Sequence, residues 1–472
     1  MHTIAGFRGG RDIVGANVVS VENPFDKSEA ARVAIDDAAS VRLAVESAVA
    51  AGREIRKLAT HKRAEILRRV AAMMPRHAEE MCASIVACTG KTISEAKAEV
   101  ERAPEILMLA AEEARRITTT CPPGDAIPSG DNRIALILRE PVGVVASVTP
   151  FNAPLNSFCH KIAPAFAAGN ATVAKPDLRG AKVALMMAHF FHEAGAPAGS
   201  LNIVHGEADV GHALVTDPDV AFIGFTGSTR AALEIQKVCG LRRTQYELGG
   251  NAATIVHSDA KWQQALPALL KGAFGLSGQS CISLQRLLVH RDIFEDFSKA
   301  FIDGARKLKT GDPSRPDTDV GPVVSEFHAN RICQWADEAV TQGAKLALGG
   351  GRQGATVSPI VLIGTKTTSR TMCDEVFGPL VNLVPFGDID EALQIVNASR
   401  FGLQAGILTT SLEIALKVAR ELHTGGVVVN GPSRQRLDHL PYGGRGDSGL
   451  GREGPAYAIA EMTEMKTVVV NM

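Results

Sequence analysis

The 472-residue chain carries 50 Lys plus Arg against 51 Asp plus Glu, a formal net charge of -1, and is 45% hydrophobic. A length this far beyond the limit of one core predicts two or three domains. The balanced charge excludes the electrostatic footprint of a nucleic-acid or anionic-membrane binder, so the expected partner is a small molecule.

The opening stretch MHTIAGFRGGRDIVGA has no apolar core of signal-peptide length, and no run approaches the roughly 18 apolar residues of a membrane span, which points to the cytoplasm. Eight cysteines, at positions 82, 88, 121, 159, 239, 281, 333 and 373, form no CxxC pair and no Cys/His ligand spacing. Reduced thiols are expected, with neither a disulfide framework nor a metal site.

From residue 30 to 118 the pattern is helical, as in VRLAVESAVAAGREIRKL, with apolar residues at three- and four-residue steps. CPPGDAIPSGDNR breaks it. Short β-branched runs then alternate with helices: GVVASVTP, ATVAKPD, SLNIVHG and DVAFIGFTGS. That alternation predicts an α/β, Rossmann-like parallel sheet with ligands bound beyond the carboxyl ends of its strands. After Gly250 a second α/β series follows, including LQRLLVHRDIF, SPIVLIG, PLVNLVPF and GGVVVNG, read as a separate domain. The terminal MKTVVVNM is too apolar for a free edge and is expected to pair with another subunit. Gly444, Gly446 and Gly449 fit GxGxxG, but they follow Pro441 and Tyr442 rather than a strand, so the dinucleotide fingerprint lacks its context.

Candidate chemistry gathers at the strand ends. SVTPFNAP places Asn152 just after a strand, TVAKPD places Lys175, FIGFTGS places Gly227 and Ser228 at a strand-to-helix turn, and QYELGGN places Glu247 before a Gly-Gly break. Each alone reads as a turn former, a solvated cap, an N-cap or a surface charge. Their order, followed by Cys281 in the small-residue loop GLSGQSCIS, favours an active site, because a nucleophilic thiol wants open space and nearby backbone N–H groups.

TPFNAPL, AKP, GFTGS, ELGG, GQSC, EVFGP and YGGRGDSGLGREG together resemble the aldehyde dehydrogenase superfamily, from about Asn23-Pro24 to the C-terminus. The resemblance is closest to the lactaldehyde, non-phosphorylating glyceraldehyde-3-phosphate and phosphonoacetaldehyde branch. It implies Cys281 as nucleophile, Asn152 with the Cys281 N–H as oxyanion hole, and Glu247 as base for a hydrolytic, non-acylating reaction. It also implies NAD or NADP held by Lys175, Thr149, Pro150, Gly211, Gly227, Ser228, Glu375 and Phe377. Leu178, followed by Arg179, stands where NAD-selective members often carry an acid, which leaves the choice of cofactor open. Domains are implied at 1–116 with 139–249 (cofactor) and 250–444 (catalytic), with an oligomerisation arm of 117–138 and 445–472 in a homodimer or homotetramer.

The face after Asn152 offers Ala153, Asn156, Ser157 and His160, and the chain has only three Tyr and two Trp, so an aromatic substrate funnel is not expected. Arg102, His160, Asn156 and Arg436 are the candidate substrate residues, with Arg102, His160 and Arg436 as a clamp for a short aldehyde with an anionic far end. Ser280 replaces the arginine that phosphate-recognising members often place before the nucleophile, which argues against phosphorylated substrates. A cofactor-independent esterase and a catalytically silent binding protein are the alternatives. The second is disfavoured by the presence of Cys281, Glu247 and Asn152 together.

Overall fold

A computed structural model describes residues 2–15 and 17–472. The predicted helical tract holds with one difference at its start. Glu29–Ile35 is a strand, because it pairs with Asn17–Glu22 on one side and Thr3–Ile4 on the other. Ala31 and Val33 alternate inward along it, a period of two that the Ala-rich sequence alongside conceals. Asp37 then accepts a hydrogen bond from the Ser40 N–H at 2.8 Å and opens helix Ala38–Lys57. Val41, Ala44, Val45, Ala48 and Ile55 fall on its buried face, and with Leu67, Val70, Ile106 and Leu107 of later helices they cover the first sheet.

That sheet has eight strands, in the spatial order Gly449–Leu450, Arg243–Glu247, Val220–Thr226, Val144–Thr149, Ala171–Pro176, Leu201–Ile203, Gly6–Arg8 and Arg11–Ile13. The five from Arg243–Glu247 to Leu201–Ile203 run parallel. The chain moves outward from Val144–Thr149 in one direction and returns to Val220–Thr226 on its other side. The carboxyl ends around this reversal, at Thr149, Lys175, Thr226 and Glu247, therefore flank the crevice where α/β sheets take ligands.

A second sheet orders Lys345–Leu348, Ile360–Ile363, Leu380–Phe386, Leu284–His290, Ala252–Val256, Gln404–Leu408 and Gly426–Val429, all parallel but for the first. It has apolar clusters of its own, one around Leu287, Val289, Phe297 and Phe301, another around Ile255, Leu288, Phe386 and Ile407. The protein is an α/β fold with a Rossmann-like sheet and a second α/β sheet. Among the described residues no helix is long and apolar enough to cross a membrane.

The terminal strand Thr463–Asn471 has a partner within its own chain on one edge, where all nine residues register antiparallel with Arg133–Pro141, and among the described residues no strand pairs with its other edge. A complete ladder to a nearby segment satisfies one edge without another subunit. Segment 445–472 divides. Gly449–Leu450 joins the first sheet, helix Pro455–Glu461 packs on helix Asn156–Ala168, and the ribbon strand begins at Thr463.

Candidate active site

Helix Trp262–Phe274 ends at Gly275, and the next three residues turn left-handed: Leu276 at φ 55°, Ser277 at 53° and Gly278 at 70°. For a residue with a Cβ this conformation costs about 1–2 kcal/mol. Contacts from four directions hold it. Glu95 Oε1 accepts from the Leu276 N–H at 2.7 Å, and the Ser277 hydroxyl donates to the Gly321 carbonyl at 2.8 Å. Gln279 Oε1 accepts from the Val324 N–H at 2.8 Å, and Asn152 Nδ2 donates to the Gln279 carbonyl at 2.9 Å. At Gly278 a Cβ would lie 1.9 Å from the Gly378 carbonyl oxygen, so glycine is required. The loop delivers Cys281 to the crevice.

The structure brings Asn152, Glu247 and Cys281 together. Asn152 is bonded to the loop two residues before the thiol, and its amide keeps a second N–H for another acceptor. At Gly250, which ends the ELGG run, a Cβ would meet the Cys281 carbonyl oxygen at 2.1 Å, so only glycine lets these backbones touch. Gly443 likewise passes Glu247 Oε1 at a distance where a Cβ would sit 3.0 Å away. The glycines around 443–449 thus close the loop over the end of strand Arg243–Glu247, which accounts for the GxGxxG spacing without a dinucleotide role.

Two acids and the thiol are electrostatically displaced. Glu247 is buried, and neither of its oxygens has a hydrogen-bond partner among the described residues. Burial first, and the neighbouring Glu453 carboxylate second, hold its proton well above the usual carboxylate range against the pull of Lys161, Arg436 and Arg452. Enclosure pushes the Cys281 thiol up to about 12; the Tyr442 hydroxyl and Arg436 oppose this, while Glu375 and Glu247 add to it. Glu375, raised by burial to about 7, accepts from the Gly250 N–H at 2.8 Å. Such displaced groups in one crevice mark a site built for proton movement.

The candidate clamp residues converge, but on an internal anion the sequence reading missed. Arg102 donates through Nε and Nη2 to the Asp438 carboxylate, His160 Nε2 lies 2.9 Å from it, and Arg436 Nε 3.4 Å. Burial drives His160 down to about 4, so it serves Asp438 as a neutral donor at pH 7. Glu453 bridges Lys161 Nζ at 2.9 Å and Arg436 Nη2 at 3.0 Å. Three cations thus face two carboxylates. Arg436 Nε, though near Asp438, is a buried donor with no hydrogen bond among the described residues, and Asn156 Oδ1 is a buried acceptor in the same condition. Asp438 lies two residues after Arg436 in RQRLDHL, and Glu453 is the last residue but one of YGGRGDSGLGREG, so both were visible as letters but not as partners.

Of the expected cofactor residues, Thr149, Pro150, Lys175, Gly227 and Ser228 lie at the carboxyl edge of the first sheet, Gly211 is on helix Ala208–Thr216, and Glu375 and Phe377 precede strand Leu380–Phe386 of the second sheet. Thr149 ends its strand with a buried hydroxyl lacking a partner, as Thr226 does, and Pro150 follows at the turn. Lys175 has no ion-pair partner among the described residues, and burial lowers its pKa. A Cβ on Gly211 would stand 3.5 Å from its Cδ, and one on Gly227 2.5 Å from the Phe225 ring. Ser228 caps helix Thr229–Val238, accepting from the Ala231 N–H at 3.2 Å. Phe377, at φ 49°, sets its ring edge-on to Phe151 at 6.0 Å. Orphaned hydroxyls, a half-buried ammonium without an ion pair among the described residues and a helix N-terminus fit a ribose- and pyrophosphate-bearing ligand.

A thiol, a buried carboxylate and a side-chain amide gather at the edge of two α/β sheets in what is an oxidoreductase fold, and the chain belongs to the aldehyde dehydrogenase family, whose model matches residues 14–468. Among its relatives it is 41% identical over 458 residues to the 3-sulfolactaldehyde dehydrogenase of Priestia megaterium, covering 97% of this chain and 96% of that one. Among solved structures, aldehyde dehydrogenase 21 from Physcomitrella patens, in complex with the reaction product succinate, matches with a TM-score of 0.96 at 32% identity over 99% of this chain and 98% of that one. Glyceraldehyde-3-phosphate dehydrogenase GapN from Methanocaldococcus jannaschii, complexed with NADP, gives 0.91 at 34% identity over 96% and 99%.

Proposed function

We propose that this chain oxidises a small polar aldehyde with an anionic far end to its carboxylic acid, using NAD or NADP and releasing the acid to water. The observation that supports the anionic preference is Arg436, the cation among the groups acting on the thiol, whose buried Nε donor has no hydrogen bond among the described residues. A guanidinium fork suits a sulfonate or carboxylate. The sulfonated substrate named for the Priestia megaterium relative and the succinate held by the Physcomitrella patens enzyme agree in charge.

Lys175, Thr149, Pro150, Gly211, Gly227 and Ser228 would hold the adenosine and pyrophosphate, and Glu375 with Phe377 the nicotinamide end. When bound, the nicotinamide supplies the hydride acceptor. Cys281 passes its thiol proton to the Glu247 carboxylate as Sγ bonds to the aldehyde carbon and the C=O π bond opens, and the oxygen that becomes negative is received by the free N–H of the Asn152 amide and by the Cys281 backbone N–H. After oxidation the acyl group remains on sulfur as a thioester. Glu247, short of hydrogen bonds and therefore a strong base once ionised, takes a proton from the water that cleaves it. We infer a homo-oligomer, a dimer or tetramer, through the ribbon of Arg133–Pro141 and Thr463–Asn471, which exposes Ile134, Met465, Val469 and Val470.

An aldehyde panel run with NAD, with NADP and with neither tests this, read by the absorbance of reduced nicotinamide and by acid released. Sulfolactaldehyde, sulfoacetaldehyde and succinate semialdehyde should outrun benzaldehyde and hexanal in kcat/KM. The reverse order would refute the anionic preference, and cofactor-free turnover of esters alone would refute the dehydrogenase.

A further inference from the structure

We propose that Tyr442 is a further catalytic residue of this site: its phenol donates a hydrogen bond to the Cys281 thiolate, and Arg436, stacked on its ring, strengthens that donor. The inference rests on Cys281 being the nucleophile, and not on which aldehyde it attacks. Tyr442 Oη lies 3.1 Å from Cys281 Sγ, and among the described residues the hydroxyl has no other hydrogen-bond partner. A buried phenol requires a partner, so the sulfur is the contact that this hydroxyl is placed to make. While the sulfur carries its proton either atom can donate; once it is a thiolate it can only accept, and the phenol must be the donor.

The ring is held rather than loosely packed. It sits in an apolar cluster with Ile282 and Leu403, beside Cys281. Its backbone is tied on both sides to Glu453: the Tyr442 N–H donates to the Glu453 carbonyl at 3.0 Å, and the Glu453 N–H returns to the Tyr442 carbonyl at 2.6 Å. The Glu453 side chain in turn fixes Arg436 Nη2 at 3.0 Å, and the Arg436 guanidinium carbon lies 4.0 Å from the centre of the Tyr442 ring. A cation on the π face draws density from the ring and makes the phenol a better donor, the polarity a developing thiolate needs. A phenylalanine would fill the same cluster equally well, so packing alone does not account for the hydroxyl.

This contact also addresses a difficulty left by the catalytic groups themselves. Glu247 and Glu375, the acids facing the sulfur, both work against its ionisation, and Asn152 spends one N–H on the Gln279 carbonyl. The phenol and Arg436 are the groups in the crevice that favour the anion.

The test needs no aldehyde. In the full-length chain, the rate at which iodoacetamide alkylates Cys281 is followed against pH by mass spectrometry of the peptide containing it, which separates it from the exposed Cys121 and Cys373. Y442F should slow alkylation about ten-fold or more at a given pH and move the profile upward, as expected for loss of one charge-assisted hydrogen bond. R436M should slow it while Tyr442 is present and have a smaller effect in the Y442F background. A Y442F profile that superposes on the parent or moves downward overturns the proposal, and an R436M effect equal in both backgrounds overturns the part assigned to the ring. Fluorotyrosine placed at 442, which keeps the fold and sharpens the donor, should move the profile downward; no movement would count against it. Because the probe is neutral and no substrate is present, failure here leaves the aldehyde panel untouched, and failure of the panel leaves this result readable.

Discussion

Replacing Glu99 by alanine removes the support beneath the loop that carries Asn152. Glu99 Oε1 accepts from the backbone N–H groups of Leu155 and Asn156 at 2.9 and 3.1 Å, capping helix Asn156–Ala168 from a different helix, and Oε2 pairs with Lys91. Lys91 is 8% exposed and Glu99 5%, so water replaces neither partner cheaply. Leaving a buried ammonium unpaired costs about 3–5 kcal/mol, and a lost helix cap about 1 kcal/mol, so the expected loss is about 4–6 kcal/mol. The double variant K91M/E99L, which removes the stranded charge, should recover about half of that and leave only the uncapped N–H groups. Urea unfolding should be followed by far-UV circular dichroism, because both tryptophans, Trp262 and Trp335, lie on helices packed with the second sheet and do not report on residue 99. Asn152 stands three residues before Leu155, so kcat should fall more than KM changes. An E99A midpoint equal to the parent's, or a double variant less stable than E99A, would refute this account of the pair.

Asn152→Ala should lower kcat about 10²–10³-fold through loss of one oxyanion donor, while KM moves little, as steady-state kinetics would show. Glu247→Gln should release about one equivalent of reduced nicotinamide in a burst and then stall, with the acyl adduct on Cys281 visible by intact mass. Burial and Glu453 hold the Glu247 proton well above the usual carboxylate range, so hydrolysis by the parent should climb with pH through that raised value, and the glutamine variant should lack that limb. His205, buried and donating from Nε2 to the Ala5 carbonyl at 3.2 Å, is lowered from 6.5 to about 4 by burial. The unfolded chain therefore takes up this proton first as pH falls, and stability present above pH 6.5 is lost progressively down to pH 4, by about 3 kcal/mol. His205→Gln should flatten that slope in pH-dependent urea titrations; an unaltered slope would assign the acid loss elsewhere.

Sequence by itself determined the element types and their alternation, since period and turn residues are local properties of the chain, and it singled out Asn152, Glu247 and Cys281 because each stands at a strand end or in a small-residue loop. It misread residues 30–35, where pairing to Asn17–Glu22 outweighed a helix-like composition. The terminal strand was legible as an edge in need of cover, yet its partner, 322 residues earlier at closest register, was not.

Tertiary structure alone decided what faces what. Arg102 and Asp438 are 336 residues apart, and Tyr442 and Cys281 161. No local pattern encodes a contact made by closing the chain on itself. Hence an apparent clamp of Arg102, His160 and Arg436 turned out to hold a carboxylate of its own, with the histidine neutral. Whether a charged side chain is a solvated cap or a buried partner depends on the dielectric around it, and that is set only when two distant segments exclude water together.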